Sequence, residues 1–226
     1  MLKFTKINSK LVLILSISIC IFAYYSNALG SVSDNTNLFQ RENPQAWQAT
    51  MDYKKAIQTN NSQVIQLLIH STDDFKQIAF LQASLLVAEH KLYNSLNRDL
   101  LISKRAKSKL PLNYNFHKLI ASKDFKQKLK VSHGADCAIL FDRKTGAYIA
   151  LTRIDQKWFV DMQIDTRAYD NPELYAASLC KAVLIYRKAA KSLAKSNQNQ
   201  QAVLDKLNNN LAKIWKDFDN ELKSAD

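Results

Sequence analysis

Residues 125–162 read FKQKLKVSHGADCAILFDRKTGAYIALTRIDQKWFVDM. The apolar positions recur every second residue, the period of a half-buried strand. Phe125, Leu129 and Val131 alternate with Lys126, Lys128 and Lys130, which predicts a strand opening soon after Ala121. Ala135 to Phe141 predicts a second strand, and Asp142-Arg143-Lys144-Thr145-Gly146 has the composition of a turn. Ala147 to Arg153 follows as a third strand. Asp155-Gln156 then turns into a fourth, Lys157 to Met162, whose Trp158, Val160 and Met162 point one way. Consecutive strands joined by short turns form an antiparallel meander.

Upstream the period is helical. Asn43-Pro44 places an N-cap residue before a proline at the first helical position, and the helix runs to about Gln58 with Trp47, Met51 and Ala56-Ile57 inward. Thr59 to Ser62 breaks it, and a short helix, Gln63 to Ile69, carries Val64, Leu67 and Leu68. Thr72 is the expected cap of a long helix, with Asp73 and Asp74 suited to its positive end. Ile78, Leu81, Leu85, Ala88, Leu92 and Leu96 then recur at three- and four-residue steps as one buried stripe. Helices first and strands later make an α+β fold, with the meander expected to clasp the leucine-lined helix.

Downstream, Asn171-Pro172 starts a helix running to about Lys195. Residues 197–201 interrupt it, and a last helix lines up Leu204, Leu207, Leu211, Ile214, Phe218 and Leu222. These two helices are expected to form an antiparallel hairpin, docked on the sheet or on a second copy of the chain. At 226 residues, 47% of them hydrophobic and only three glycines and three prolines, the chain suits one domain built from long helices.

Residues 1–30 contain no acidic residue. Lys3, Lys6 and Lys10 precede an uncharged, mostly apolar run, Leu11 to Tyr25, and Ser26 to Gly30 offers small residues for cleavage. That is the layout of a secretory signal peptide. Export to a periplasmic or extracellular space is expected, with an inner-membrane anchor at residues 11–29 as the alternative. The expected organisation is a leader at 1–30, a linker at 31–43, an α+β domain at 44–165 and a helical extension at 171–226. Removing the leader with its three lysines lowers the formal charge from +12 to +9. Cys137 and Cys180 would remain, either as a disulfide, which an oxidising compartment permits, or as two free thiols.

Ala49 to Leu68, ATMDYKKAIQTNNSQVIQLL, resembles the opening of nuclear-transport-factor-2-like (SnoaL-like) domains, in which a first helix ends in a polar break and a second small helix. Ala135 to Met162 resembles their closing hairpin. Its ending, ALTRIDQKWFVDM, looks like the family's polar turn leading to Trp, an apolar residue and Asp. The resemblance covers roughly residues 45–165. It implies a cystatin-like cone, a curved sheet wrapped around helices and open at one end, and hence a pocket rather than an activity. Enzymes of that family place Asp, His or Tyr inside the cone. Tyr53, His90 and Tyr93 are the ligand-pocket candidates here, with Asp136 and Asp161 as further acid/base candidates. The plainer reading makes the tyrosines core packing and His90 a helix residue beside the stripe.

No Cys/His spacing suggests a metal, no glycine loop cradles a phosphate, and no cofactor is expected. One region is strongly basic. Arg98, Lys104, Arg105, Lys107, Lys109, Lys118, Lys123, Lys126, Lys128 and Lys130 face only Asp99 and Asp124. Lys104, Arg105, Lys107, Lys109, Lys126, Lys128 and Lys130 are the candidates for an anionic membrane surface or envelope polymer. Export argues against nucleic acid. The plainer reading has lysines guarding an exposed strand edge. Together these features favour a non-catalytic binding protein of the cell envelope, with a protein or small-molecule ligand. An acid/base enzyme in the cone and an electrostatic surface binder are the alternatives.

Overall fold

In a computed structural model of the chain, residues 36–72, 75–96, 110–162, 165, 167–195 and 199–225 are described. The expected leader and the basic residues Arg98, Lys104, Arg105, Lys107 and Lys109 lie outside them, as do Asp73 and Asp74. In chain order the helices are α1 (Thr36–Glu42), α2 (Pro44–Gln58), α3 (Ser62–Leu68), α4 (Lys76–Ser95), α5 (Tyr114–Ala121) and α6 (Phe125–Lys128). Four strands follow: β1 (Leu129–His133), β2 (Cys137–Asp142), β3 (Tyr148–Ile154) and β4 (Lys157–Val160). The chain closes with α7 (Arg167–Asp170), α8 (Pro172–Leu193) and α9 (Gln200–Ala225). The fold is α+β. Among the described residues no helix is long and apolar enough to cross a membrane.

The sheet is the expected antiparallel meander, in the order β1-β2-β3-β4. Its register sets Val131 opposite Leu140, Leu140 opposite Ile149, and Leu151 opposite Val160. These residues share one face and are buried with Trp47, Tyr53 and Ile57 of α2. The β2–β3 turn is tied by Asp142, whose carboxylate accepts from the Lys144 amide and the Thr145 hydroxyl. Gly146 completes it at φ +71, where a side chain would be strained. Asp142 is itself buried. An Asp142→Ala variant strands two donors and should lose about 1–2 kcal/mol by urea denaturation.

Several expectations need correction. The first strand begins at Leu129, because Phe125–Lys128 forms a helical turn that buries Phe125. Residues 31–43 are not all linker. α1 buries Phe39 against the His133 ring at 5.3 Å, and the Thr36 hydroxyl donates to the Leu129 carbonyl at 2.8 Å. That cover shields the β1 edge, while a bridge from Ile69 meets β4. In α3 the buried residue is Ile65, and Leu67 stands 77% exposed. Thr72 does not cap α4. Phe75 holds that position without a side-chain bond, and Thr72 contributes its carbonyl to the Phe75 amide. Asn43 precedes Pro44 as expected but makes no side-chain cap, whereas Asn171 caps α8 through the Leu174 amide.

The largest correction concerns α4. Its leucine stripe does not face the sheet. Ala88, Leu92 and Leu96 pack against Ala182, Tyr186 and Ala189 of α8, and Ile78 packs against Tyr175 and Leu179. The sheet-side core receives the smaller Ala79, Ala83 and Val87. α4 is therefore two-faced, and α2 is the helix most engaged with the sheet, through β4. At the C-terminus, Tyr175 and Leu179 early in α8 meet Phe218 late in α9, while Ala189 and Leu193 meet Leu204 and Leu207.

Candidate functional site

Two of the three pocket candidates, His90 and Tyr93, come together in a buried cluster, joined by residues the sequence did not single out. α5 is capped by Asn113, whose side chain accepts from the Phe116 amide, and it sends His117 toward α4. There His117 Nδ1 lies 3.3 Å from His90 Nδ1, and its Nε2 lies 3.2 Å from a Glu89 carboxylate oxygen. The His117 side chain is 0% exposed and that of Glu89 is 19% exposed. Tyr93 stacks on both imidazoles, with centroids 6.0 and 6.1 Å away. Tyr114 packs on Tyr93, and the Tyr186 hydroxyl from α8 donates to the Pro111 carbonyl.

Glu89 organises the electrostatics. Burial, and secondarily its negative charge, raises the Tyr53 and Tyr186 hydroxyls far above the usual phenol range. Burial followed by the proximity of His117 lowers His90 to about 4. The Glu89 carboxylate can only accept, so His117 Nε2 carries a proton. Between the two Nδ1 atoms one nitrogen must donate and the other accept. With both rings neutral, His90 Nδ1 donates. With His117 protonated, His117 donates to the His90 lone pair. The chain thus tolerates one added proton. A second would set two cations 5.4 Å apart, a repulsion of about 3 kcal/mol at an effective dielectric near 20.

The same nitrogen spacing would suit two ligands of one metal ion, but Glu89 meets the far nitrogen of His117, and among the described residues no group of three or more His, Cys, Asp or Glu could hold a metal ion. Tyr53 is packed into the sheet-side core beside Phe116 rather than lining an opening. Asp136 sits in the exposed β1–β2 turn. Asp161 follows β4 with its amide bonded to the Ala150 carbonyl. Cys137 on β2 and Cys180 on α8 are free thiols, so the disulfide alternative is not realised.

Of the basic candidates that are described, Lys126 reaches Gln40 and lies over the Trp47 ring at 5.6 Å, and Lys128 donates to Ser122. Both are half-buried and serve to fasten α6. A Lys126→Glu/Lys128→Glu/Lys130→Glu variant should accordingly lose about 1–2 kcal/mol in thermal or urea unfolding. Lost binding to anionic vesicles in that variant, without the loss of stability, would restore the membrane reading for these three.

The sheet's second face is different. Ile139, Phe141, Tyr148 and Phe159 project there, with Phe141 directly opposite Tyr148 and Thr152 opposite Phe159. Tyr148 is 49% exposed, the others are half-buried, and none belongs to the three buried clusters. Arg143, Lys144 and Lys157 are exposed at its rim. A separate open crevice of about 630 Å³ lies between α8 and α9, lined by Ile185, Ala189, Val203, Leu207, Lys188 and Lys206. Comparison with protein-family models, with curated proteins and with solved structures finds no match.

Proposed function

We propose that this chain is an exported, non-catalytic interaction protein of the cell envelope that receives a partner protein on the second face of its sheet. The observation that carries the reading is the apolar patch of Ile139, Phe141, Tyr148 and Phe159, partly open on a face outside the buried clusters. Aromatic side chains are enriched at protein interfaces, and contiguous apolar surface of this kind marks contact sites. The basic rim favours a partner with acidic groups around an apolar centre over a second copy of this chain. In this reading the N-terminal leader directs export, the sheet and α2 form the cystatin-like cone of the resembled family, and α8 with α9 forms a hairpin that stiffens it.

A photo-crosslinking residue placed at Tyr148 should capture one discrete partner in intact cells, and the same residue at the exposed Leu184 should not. A Phe141→Asp change should abolish the adduct. Equal capture at both positions, or adducts only between copies of the chain, would count against the reading. The acid/base alternative draws support from the Glu89–His117–His90 chain. It is disfavoured because a substrate would have to reach a His90 ring that is 1% exposed. Crystals soaked with small carbonyl compounds would revive it by showing density against His90 or Tyr93.

A further inference from the structure

We infer that the Glu89–His117–His90 chain is an acid-sensitive latch, holding α5 on α4 at neutral pH and letting it go in acid. The inference is independent of the sheet-face reading. Its basis is geometric. Two polar contacts join these helices through one side chain, His117, and both depend on proton count. When both imidazoles are charged, each Nδ1 carries a hydrogen, and the two N–H groups point at one another across 3.3 Å. Neither can then accept. The rings must rotate or the helices must part.

The surroundings offer little relief. α4 presents Glu89 and Tyr93, α5 presents Tyr114, α2 presents Tyr53, and α8 presents Tyr186. Lys118 lies over the Tyr114 ring at 6.0 Å and adds positive charge nearby. Among the described residues Glu89 is the one carboxylate bonded to the pair, and its side chain is partly exposed. The depressed proton affinity of His90 is consistent with a second proton that is resisted while the latch is closed.

α5 is a short helix, held elsewhere by the Gln58 amide on the Ile120 carbonyl at 2.8 Å and by the Asn115 amide on the Thr145 carbonyl at 2.9 Å. It is eight residues long and starts after Pro111 and the Asn113 cap. It ends at Ala121, and the backbone of the following Ser122 is extended. Its inner residues Phe116, Leu119 and Ile120 are buried, so release would open apolar surface between α4 and the sheet-side core. This couples a proton signal to access, as histidine pairs can.

Hydrogen exchange of the full chain, expressed as protection factors, would test the latch. Between about pH 7.5 and about pH 4.5, α5 amides should lose about tenfold or more in protection while α2 and the strands keep theirs. A His90→Phe variant retains a ring against Tyr93 but cannot be protonated, and should show no such step. Should that variant fail to fold, the wild-type His90 ring resonances provide the second readout. Their titration midpoint should coincide with the α5 step. The idea is overturned if α5 and α2 lose protection together, if His90→Phe behaves like wild type, or if the two midpoints differ.

Discussion

Lowering the pH from about 7.5 to about 5 should remove about 2 kcal/mol of folding stability through His90 alone. In the unfolded chain His90 titrates at its ordinary 6.5, while in the folded chain it is held down to about 4. Between those values the unfolded state binds the extra proton and the folded state does not. Stability is therefore complete above about 6.5 and falls as the pH drops toward about 4, at about 1.4 kcal/mol per unit. The ring is almost wholly buried, so solvent does little to soften the effect. Urea midpoints measured across this range should decline steeply for wild type. A His90→Gln variant should show a slope shallower by this amount, since its amide can still bond His117 without taking a proton. Parallel slopes for the two proteins would show that His90 titrates normally.

Phe218→Ala should cost about 3–5 kcal/mol, the largest single loss expected in the C-terminal region. Phe218 is 1% exposed and sits among Ile78, Ala168, Tyr175 and Leu179, so truncation leaves a cavity where α4, α7, α8 and α9 converge. Its ring meets Tyr175 edge-on at 6.0 Å. A clamp closes over the same place: the Arg167 guanidinium lies 4.3 Å from the Trp215 ring centroid and is held by paired bonds to Asp165. Burial pushes the Asp165 carboxyl up, but its bonds from Arg167 together outweigh that and keep it below the usual carboxylate range. Urea denaturation gives the number. Leu184→Ala, at a position 59% exposed, is the matched control and should shift stability by less than about 0.5 kcal/mol. A Phe218→Ala loss as small as that of the control would mean that α9 contributes little packing.

What the sequence made legible follows from the range of each signal. Turns and caps are local, so the Asp142–Gly146 and Asp155–Gln156 turns and the Asn171-Pro172 start were readable. The α4 stripe was readable as apolar, but periodicity does not name the surface it meets. Two candidate partners existed, and α8 took it. The Phe125–Lys128 alternation is also compatible with one turn of helix, and four residues cannot distinguish the periods. α1 was hidden because only Phe39 and Thr36 of its seven residues are buried. α5 left a usable trace in Asn113 followed by Phe116, Leu119 and Ile120. The site itself was the least legible part. His90 and Tyr93 were candidates, but the partners that give His90 its chemistry, Glu89 and His117, are 28 residues apart. Only the packing of α5 on α4 brings them together.

Because α4 gives Ala79, Ala83, Leu86 and Val87 to the sheet layer and Ile78, Leu85, Ala88 and Leu92 to the α8 side, neither layer has a complete interior without it. Cutting the chain before Pro172 would leave Leu85, Ala88 and Leu92 facing water, so a shortened protein should precipitate rather than persist as a smaller soluble body. Heating the whole protein should accordingly give a single calorimetric peak, with calorimetric and van't Hoff enthalpies in agreement.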